Sequence, residues 1–193
     1  IKDSLLEDYE GKKKADTPKN KKKRDMKLTP ESLLAYLDKS AINLFENLNV
    51  FSSVELHARC QVDMQSYISE IQIESRTLGD MSLNHIIPAA IKYQNILIKN
   101  VKGIIDILGE MFKSQANDQL IILEEISDHI KKIINGVDQM VLARKNANKI
   151  EDVNKKAMAY ASNVIPYLDE IRDHCDKLEL TIDDSIWPLA KYR

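Results

Sequence analysis

Apolar side chains recur every three or four residues through most of this chain, and this spacing limits its fold more than any other feature of the sequence. Residues three or four apart lie on the same face of an α-helix, so the spacing predicts long amphipathic helices. Only five of the 193 residues are glycine, which is too few for the many tight turns of a sandwich or a barrel. We therefore expect an all-α fold.

Three long segments carry the pattern, over residues 56–112, 123–140 and 153–182. In the second segment the mean step is about 3.5 residues, which is the heptad period of packed helices. Its repeating residues are Leu123, Ile126, Ile130, Ile133, Val137 and Met140. Long amphipathic segments with short linkers pack most simply as an antiparallel bundle. We expect about four long helices in a bundle over residues 51–193, preceded by short helices over residues 29–50.

Local signals predict where the long helices begin and where they are interrupted. Ser52 and Glu55 form a capping-box sequence, which predicts the start of the first long helix. Pro88 lacks an amide hydrogen and its ring would clash with the carbonyl of Asn84, so we expect a kink or a break near residues 84–88. Two stacked helices are an alternative at this point. Pro166 interrupts the last segment.

The first 28 residues differ in composition from the rest of the chain. They hold ten Lys or Arg against six Asp or Glu, net +4, whereas the remainder holds 18 against 24, net −6. Almost no large apolar side chain lies between Lys12 and Asp25, so little surface can be buried there. We interpret residues 1–28 as a basic linker or mobile loop. The alternative for residues 12–24 is a nucleic-acid contact, although the tract lacks interleaved aromatic residues for base stacking.

Net charge, the length of apolar stretches and the cysteines limit the class of protein that this chain can be. A net charge of −2 gives no overall attraction to nucleic acid or to an anionic membrane. No uncharged stretch approaches the about 20 apolar residues that span a bilayer. Cys60 and Cys175 lie far apart without a CxxC motif, which is typical of a reduced, cytoplasmic setting. The chain begins with Ile1 rather than Met, so we interpret it as part of a longer protein.

The sequence contains no phosphate-binding glycine loop, nucleophile elbow or HExxH motif. Its sharpest local pattern is an acid four residues before a histidine, at Glu125 and His129 and again at Glu170 and His174. A bundle can in principle bring these four side chains to one metal ion. Because carboxylate-bridged bundle sites space Glu and His three apart, we interpret these as exposed pairs flanking the seam. We therefore predict no catalytic, cofactor-binding or metal-binding residue.

Three further residues have structural interpretations. His85 lies beside the seam near the expected kink, where a backbone carbonyl left without its amide partner needs a donor. His57 is expected to face solvent or a partner surface. Trp187 is expected to pack back onto the bundle or onto a neighbour.

Five stretches carry a resemblance to a known family. They are VELHAR (54–59), ESRTLGDMSLNHIIPAAIKYQNILIKNVKG (74–103), EISDHI (125–130), LARKNANK (142–149) and EIRDHCDKLELTIDDSIWPLAKYR (170–193). In these stretches the chain resembles the C-terminal region of the type III glutamine synthetases, with similarity from about residue 44 to residue 193.

The resemblance implies that the longer protein is an ATP-dependent, Mg²⁺- or Mn²⁺-dependent ligase that makes glutamine from glutamate and ammonium. It also implies a homo-oligomer built as a double ring. In this superfamily the catalytic residues lie in an upstream domain, and none of its motifs occurs here. The resemblance thus implies a helical C-terminal extension without a cofactor of its own and inactive alone, which packs on the catalytic domain and on neighbouring subunits. An independent helical interaction module with a basic nucleic-acid-binding tail is the alternative.

Overall fold

The computed structural model describes residues 28–109 and 116–191, and every regular element in these ranges is helical. Two short helices come first, α1 (Thr29–Leu34), which a 3₁₀ turn (Ala35–Leu37) extends, and α2 (Lys39–Asn47). The larger helices are α3 (Ser53–Met81), α4 (Ile87–Leu108), α5 (Asn117–Asn148), α6 (Val153–Asn163) and α7 (Ile165–Thr181). The predicted all-α fold, a bundle of long helices preceded by short ones, is confirmed. The lysine-rich tract of residues 12–24 lies outside the described residues.

The capping box at the start of α3 forms as predicted. The Glu55 backbone N–H donates to the Ser52 hydroxyl at 3.3 Å, and the Ser52 backbone N–H donates to the Glu55 carboxylate at 2.8 Å. Each bond satisfies an amide that has no partner within the helix. Just upstream, Asn49 has a φ of 51°, a left-handed conformation that Asn adopts more readily than most residues.

The irregularity predicted at Pro88 is present, and it is a π-helical turn over Ser82–Ile86. The Ile87 amide donates to the Ser82 carbonyl, five residues earlier. A widened turn of this kind accommodates a proline without ending the helix, because the backbone can pair in a different register just before the ring. Helical residues therefore continue from α3 into α4 as one rod, and the chain does not fold back at this point.

Hydrogen bonds between α5 and the α3–α4 rod show the relative direction of these helices. They join residues whose numbers rise along α3 and α4 while they fall along α5: Gln72 with Asn148, Gln94 with Ser127 and Asn100 with Gln119, each at 2.8 Å. The α3–α4 rod and α5 are therefore antiparallel. The chain then returns beside α5 as α6 and α7, which Val164 separates just before Pro166. The most extensive interface in the bundle is between α5 and α7.

The core follows the predicted seams. In α5, Ile126, Ile133, Val137 and Met140 are buried, and the other two heptad residues are half-buried. The returning helices bury the full predicted stripe after Val153: Ala157, Tyr160, Val164, Leu168, Ile171, Cys175, Leu178 and Ile182. Trp187 is buried against this core, which confirms that the C-terminal segment packs back onto the bundle.

Lys191 holds the C-terminal segment against the end of α7. Its ammonium group donates to the backbone carbonyls of Glu179 at 2.6 Å and Ile182 at 3.0 Å, and to the Asp184 carboxylate at 2.6 Å. The last carbonyls of a helix lack amide partners and carry partial negative charge, so a cation is favourable there.

Candidate functional site

Helices α5 and α7 bring His129 and His174 into direct contact. Their Nδ1 atoms are 3.2 Å apart, and the two ring centroids are separated by 5.2 Å. Both rings are partly buried, and the side chain of His174 is only 12% exposed. The distance fits an N–H···N hydrogen bond in which one neutral ring donates and the other accepts.

The same arrangement of charged residues surrounds each histidine. Lys132 donates to the Asp128 carboxylate at 2.6 Å on α5, and Lys177 donates to the Asp173 carboxylate at 2.6 Å on α7. The hydrogen bond from Lys132 lowers the pKa of Asp128, and the bond from Lys177 lowers the pKa of Asp173. Both carboxylates are therefore ionised at neutral pH beside the histidine pair.

Burial lowers the pKa of His129, because a charged imidazolium loses hydration between the two helices. Repulsion from His174, Lys132 and Lys177 lowers this pKa further, and only the negative charge of Asp128 opposes these effects. His129 is therefore neutral at physiological pH, and one of its ring nitrogens carries a lone pair in place of a proton.

The structure brings together only two of the four residues that the sequence pattern singled out. Glu125 and Glu170 are exposed, each one helical turn before its histidine. Because α5 and α7 are antiparallel, the two glutamates lie on opposite sides of the histidine pair. Within residues 28–109 and 116–191, no group of three or more His, Cys, Asp or Glu has metal-binding geometry.

A signal for the histidine contact is present in the sequence. The octapeptides EISDHIKK (125–132) and EIRDHCDK (170–177) share Glu, Ile, Asp, His and Lys at equivalent positions. Two copies of one pattern on adjacent antiparallel helices are related by a local two-fold axis. A residue close to that axis contacts the residue at the same position of the other copy, as His129 contacts His174. The acid and histidine spacing alone does not reveal this repeat, nor the roles of the aspartates and lysines.

The other two histidines lie away from this pair. His57 is exposed, as predicted, and its Nδ1–H donates to the Ser53 carbonyl at 2.8 Å. His85 is also exposed, and in the described part of the chain its side chain makes no hydrogen bond. The predicted bond from His85 to a backbone carbonyl is therefore wrong. The π turn directs Ser82 and Ile86 into the bundle and leaves His85 on its solvent side.

These features define the class of protein. It is an all-helical module in which the most distinctive polar contact is a histidine pair between two helices. None of the helices in the described ranges has both the length and the apolar content that crossing a membrane requires.

Comparison with known proteins shows a similarity to glutamine synthetases. The family model described as the glutamine synthetase C-terminal domain matches residues 12–104. A glutamine synthetase of Bacteroides fragilis (strain YCH46) is 42% identical over 165 residues, which cover 85% of this chain and 23% of that protein. A type-3 glutamine synthetase of Dictyostelium discoideum is 28% identical over 165 residues, covering 85% of this chain and 22% of that protein.

The chain is thus homologous to the C-terminal domain of glutamine synthetases, and the predicted resemblance is confirmed. A glutamine synthetase of Butyrivibrio fibrisolvens is also similar, with 22% identity over 171 residues and 87% of this chain covered. The chain spans less than a quarter of the length of each of these relatives, with 24% the largest share.

Proposed function

We propose that this chain is the C-terminal helical part of a cytoplasmic glutamine synthetase, and that it serves assembly rather than chemistry. The longer protein would join glutamate and ammonium with the use of ATP and of Mg²⁺ or Mn²⁺. The support for this activity is the homology to three proteins named as glutamine synthetases. Under this proposal the catalytic residues lie in another part of the longer protein, and this chain alone is inactive.

The observation that carries the assembly role is an arm of two helices, α4 and α5, that extends past the end of α7. Up to that level α7 packs beside them as a third helix. Ser82 Oγ lies 3.6 Å from Cys175 Sγ, which places the end of α3 level with the second half of α7. Helix α7 ends soon afterwards, at Thr181. Beyond that level α4 has an extensive interface only with α5, among the helices that the structure describes. We call residues 91–109 and 116–127 the α4–α5 arm.

The α4–α5 arm exposes large apolar side chains. Ile91 and Ile98 are 46% and 44% exposed, and their spacing of seven residues places them on one stripe of α4. Ile107 is 83% exposed near the end of α4, and Leu120 and Ile121 are exposed on α5. Single exposed apolar residues are ordinary, but a stripe of them on a two-helix arm suits a surface that another part of an assembly covers.

We infer that the arm packs on the rest of the glutamine synthetase, either on the catalytic domain of its own subunit or on a neighbouring subunit of a double-ring homo-oligomer. Obligate interfaces resemble a domain core cut in half, so isoleucines are suitable contact residues. The alternative of a nucleic-acid-binding tail has no support in the described residues, because residues 12–24 lie outside them.

The test uses the longer protein with Ile91→Glu and Ile98→Glu together. We expect light scattering to show a smaller assembly or an unstable one, and glutamine formation from glutamate, ammonium and ATP to fall with it. Leu180→Glu is the matched control, because Leu180 is 83% exposed near the end of α7. An assembly of unchanged mass and full activity in the double variant would refute the role of the arm.

Light scattering of the 193-residue chain over a concentration series distinguishes the two possible contacts. A concentration-independent multimer supports a contact between subunits. A monomer supports packing on the catalytic domain of the same subunit.

A further inference from the structure

We propose that His129 and His174 form a binding site for a divalent transition-metal ion, of the class of Zn²⁺, Ni²⁺ and Cu²⁺, which bridges α5 and α7. This departs from the sequence prediction of no metal ligand. It rests on the packing of the two helices and does not depend on the proposed role in glutamine synthetase.

The distance between the two nitrogens is the first argument. Zinc binds histidine nitrogen at about 2.0–2.1 Å, so two ligands of one tetrahedral ion are ~3.3–3.4 Å apart. The Nδ1 atoms of His129 and His174 are 3.2 Å apart. The observed separation is thus within a few tenths of an ångström of the one that an ion requires, and the two rings need only turn so that both lone pairs point at the ion.

The chemistry of the donors is the second argument. Neutral imidazole is a preferred ligand of Zn²⁺, Ni²⁺ and Cu²⁺. Binding replaces the hydrogen bond within the pair, because each Nδ1 must offer its lone pair to the ion and keep its proton on Nε2.

The surrounding charge is the third argument. The Asp173 carboxylate lies 3.8 Å from Nδ1 of His174, and both Asp128 and Asp173 are more than half exposed. Their negative charges offset part of the charge of the ion, whereas the ammonium groups of Lys132 and Lys177, which also repel a charged His129, oppose its binding. Since no third protein ligand is in place among the described residues, water completes the coordination, or an aspartate does so after it leaves its lysine. The bound ion would thus link α5 to α7 through one histidine of each helix.

The experiment titrates Zn²⁺ into the full chain after treatment with EDTA, with calorimetry for stoichiometry and circular dichroism for the melting temperature. We expect one Zn²⁺ per chain and a higher melting temperature in its presence. His129→Gln and His174→Gln should each weaken binding by more than about tenfold, since loss of a second-shell partner alone costs that much. His57→Gln and His85→Gln are matched controls at exposed histidines, and both should bind like the wild type.

A second measurement keeps the test valid if a histidine variant unfolds. In the wild-type chain, Zn²⁺ should shift the imidazole NMR signals of His129 and His174 and leave those of His57 and His85 in place. Absence of binding at about millimolar Zn²⁺ would overturn the proposal. Equal affinity in the His129→Gln, His174→Gln double variant would also overturn it, because the ion would then bind elsewhere. Neither failure bears on the α4–α5 arm.

Discussion

Gly136 of α5 packs directly against Ile171 of α7: a Cβ atom at Gly136 would lie 3.0 Å from Cγ1 of Ile171. Ile171 is fully buried. The missing side chain at Gly136 allows the two helices to approach closely, and the same interface positions His129 against His174. The close approach therefore gives the glycine a packing role within a helix, where glycine is otherwise unfavourable.

We expect Gly136→Val to lower the free energy of unfolding by about 1–3 kcal/mol, the usual cost of an overpacked core. Gly103→Ala is the matched change in open space, because a Cβ at Gly103 meets no atom within 4 Å. It should raise the free energy of unfolding by about 0.5–1 kcal/mol through helix propensity. Urea denaturation measures both values. A neutral or stabilising Gly136→Val would contradict the close approach.

The capping box predicts a pH-dependent contribution to stability. Hydrogen bonds from the backbone amide and hydroxyl of Ser52 lower the pKa of Glu55. Since the folded pKa lies below the unfolded value of about 4.3, the contribution is complete above that value and is lost as pH falls through the folded pKa.

Ser52→Ala should therefore be less stable than the wild type at neutral pH, and the difference should shrink below about pH 4. Ser52→Thr retains the hydroxyl and should behave like the wild type. The midpoints of urea denaturation of the wild type and the variants, measured across a pH series, give this difference in stability. A difference that does not change with pH would exclude a role for the Glu55 charge.

Tyr160 connects three helices through its hydroxyl. The hydroxyl accepts from Nε2 of Gln72 on α3 and donates to Oδ1 of Asn148 on α5, both at 2.9 Å, while the ring is fully buried. Tyr160→Phe keeps the ring and should cost about 1 kcal/mol of unfolding free energy. Tyr36→Phe, at a 52% exposed residue, should change stability by less than about 0.5 kcal/mol. Equal effects of the two changes on urea denaturation would argue against the hydroxyl network.

Both cysteines should be unreactive in the folded chain. Cys60 is 4% exposed and Cys175 is 6% exposed, and burial raises the pKa of each thiol. Because the thiolate is the reactive species, alkylation by iodoacetamide should be far slower in the folded chain than in urea. Ser66→Cys adds a thiol at an exposed position on α3, and mass spectrometry should find that site modified first. Rapid modification of Cys175 in the folded chain would show that the contact between α7 and the π turn at Ser82 opens.

Much of this fold is predictable because its information is local. The spacing of apolar residues identifies the faces that become buried, and the prediction holds at most positions from Leu56 in α3 to Ile182 at the end of α7. The exception is Leu108 at the end of α4, which continues the same spacing but is 44% exposed. The capping box and Pro166 mark helix boundaries through their own backbone chemistry, and both predictions are confirmed. Such features depend on residues a few positions apart, so a single sequence contains them.

Other properties depend on how distant helices pack. At Pro88 the sequence predicted an irregularity, but packing on both sides of the turn decided that α3 and α4 continue as one rod through a π turn. The contact between His129 and His174 depends on the antiparallel register of α5 and α7. The side chains in the core determine that register, Gly136 and Ile171 among them. By itself, therefore, the sequence determined the helices and their buried faces, because helical periodicity is a local property of the chain. Only the tertiary structure decided which polar residues meet, because a shift of one turn between two helices would separate them without changing either helix.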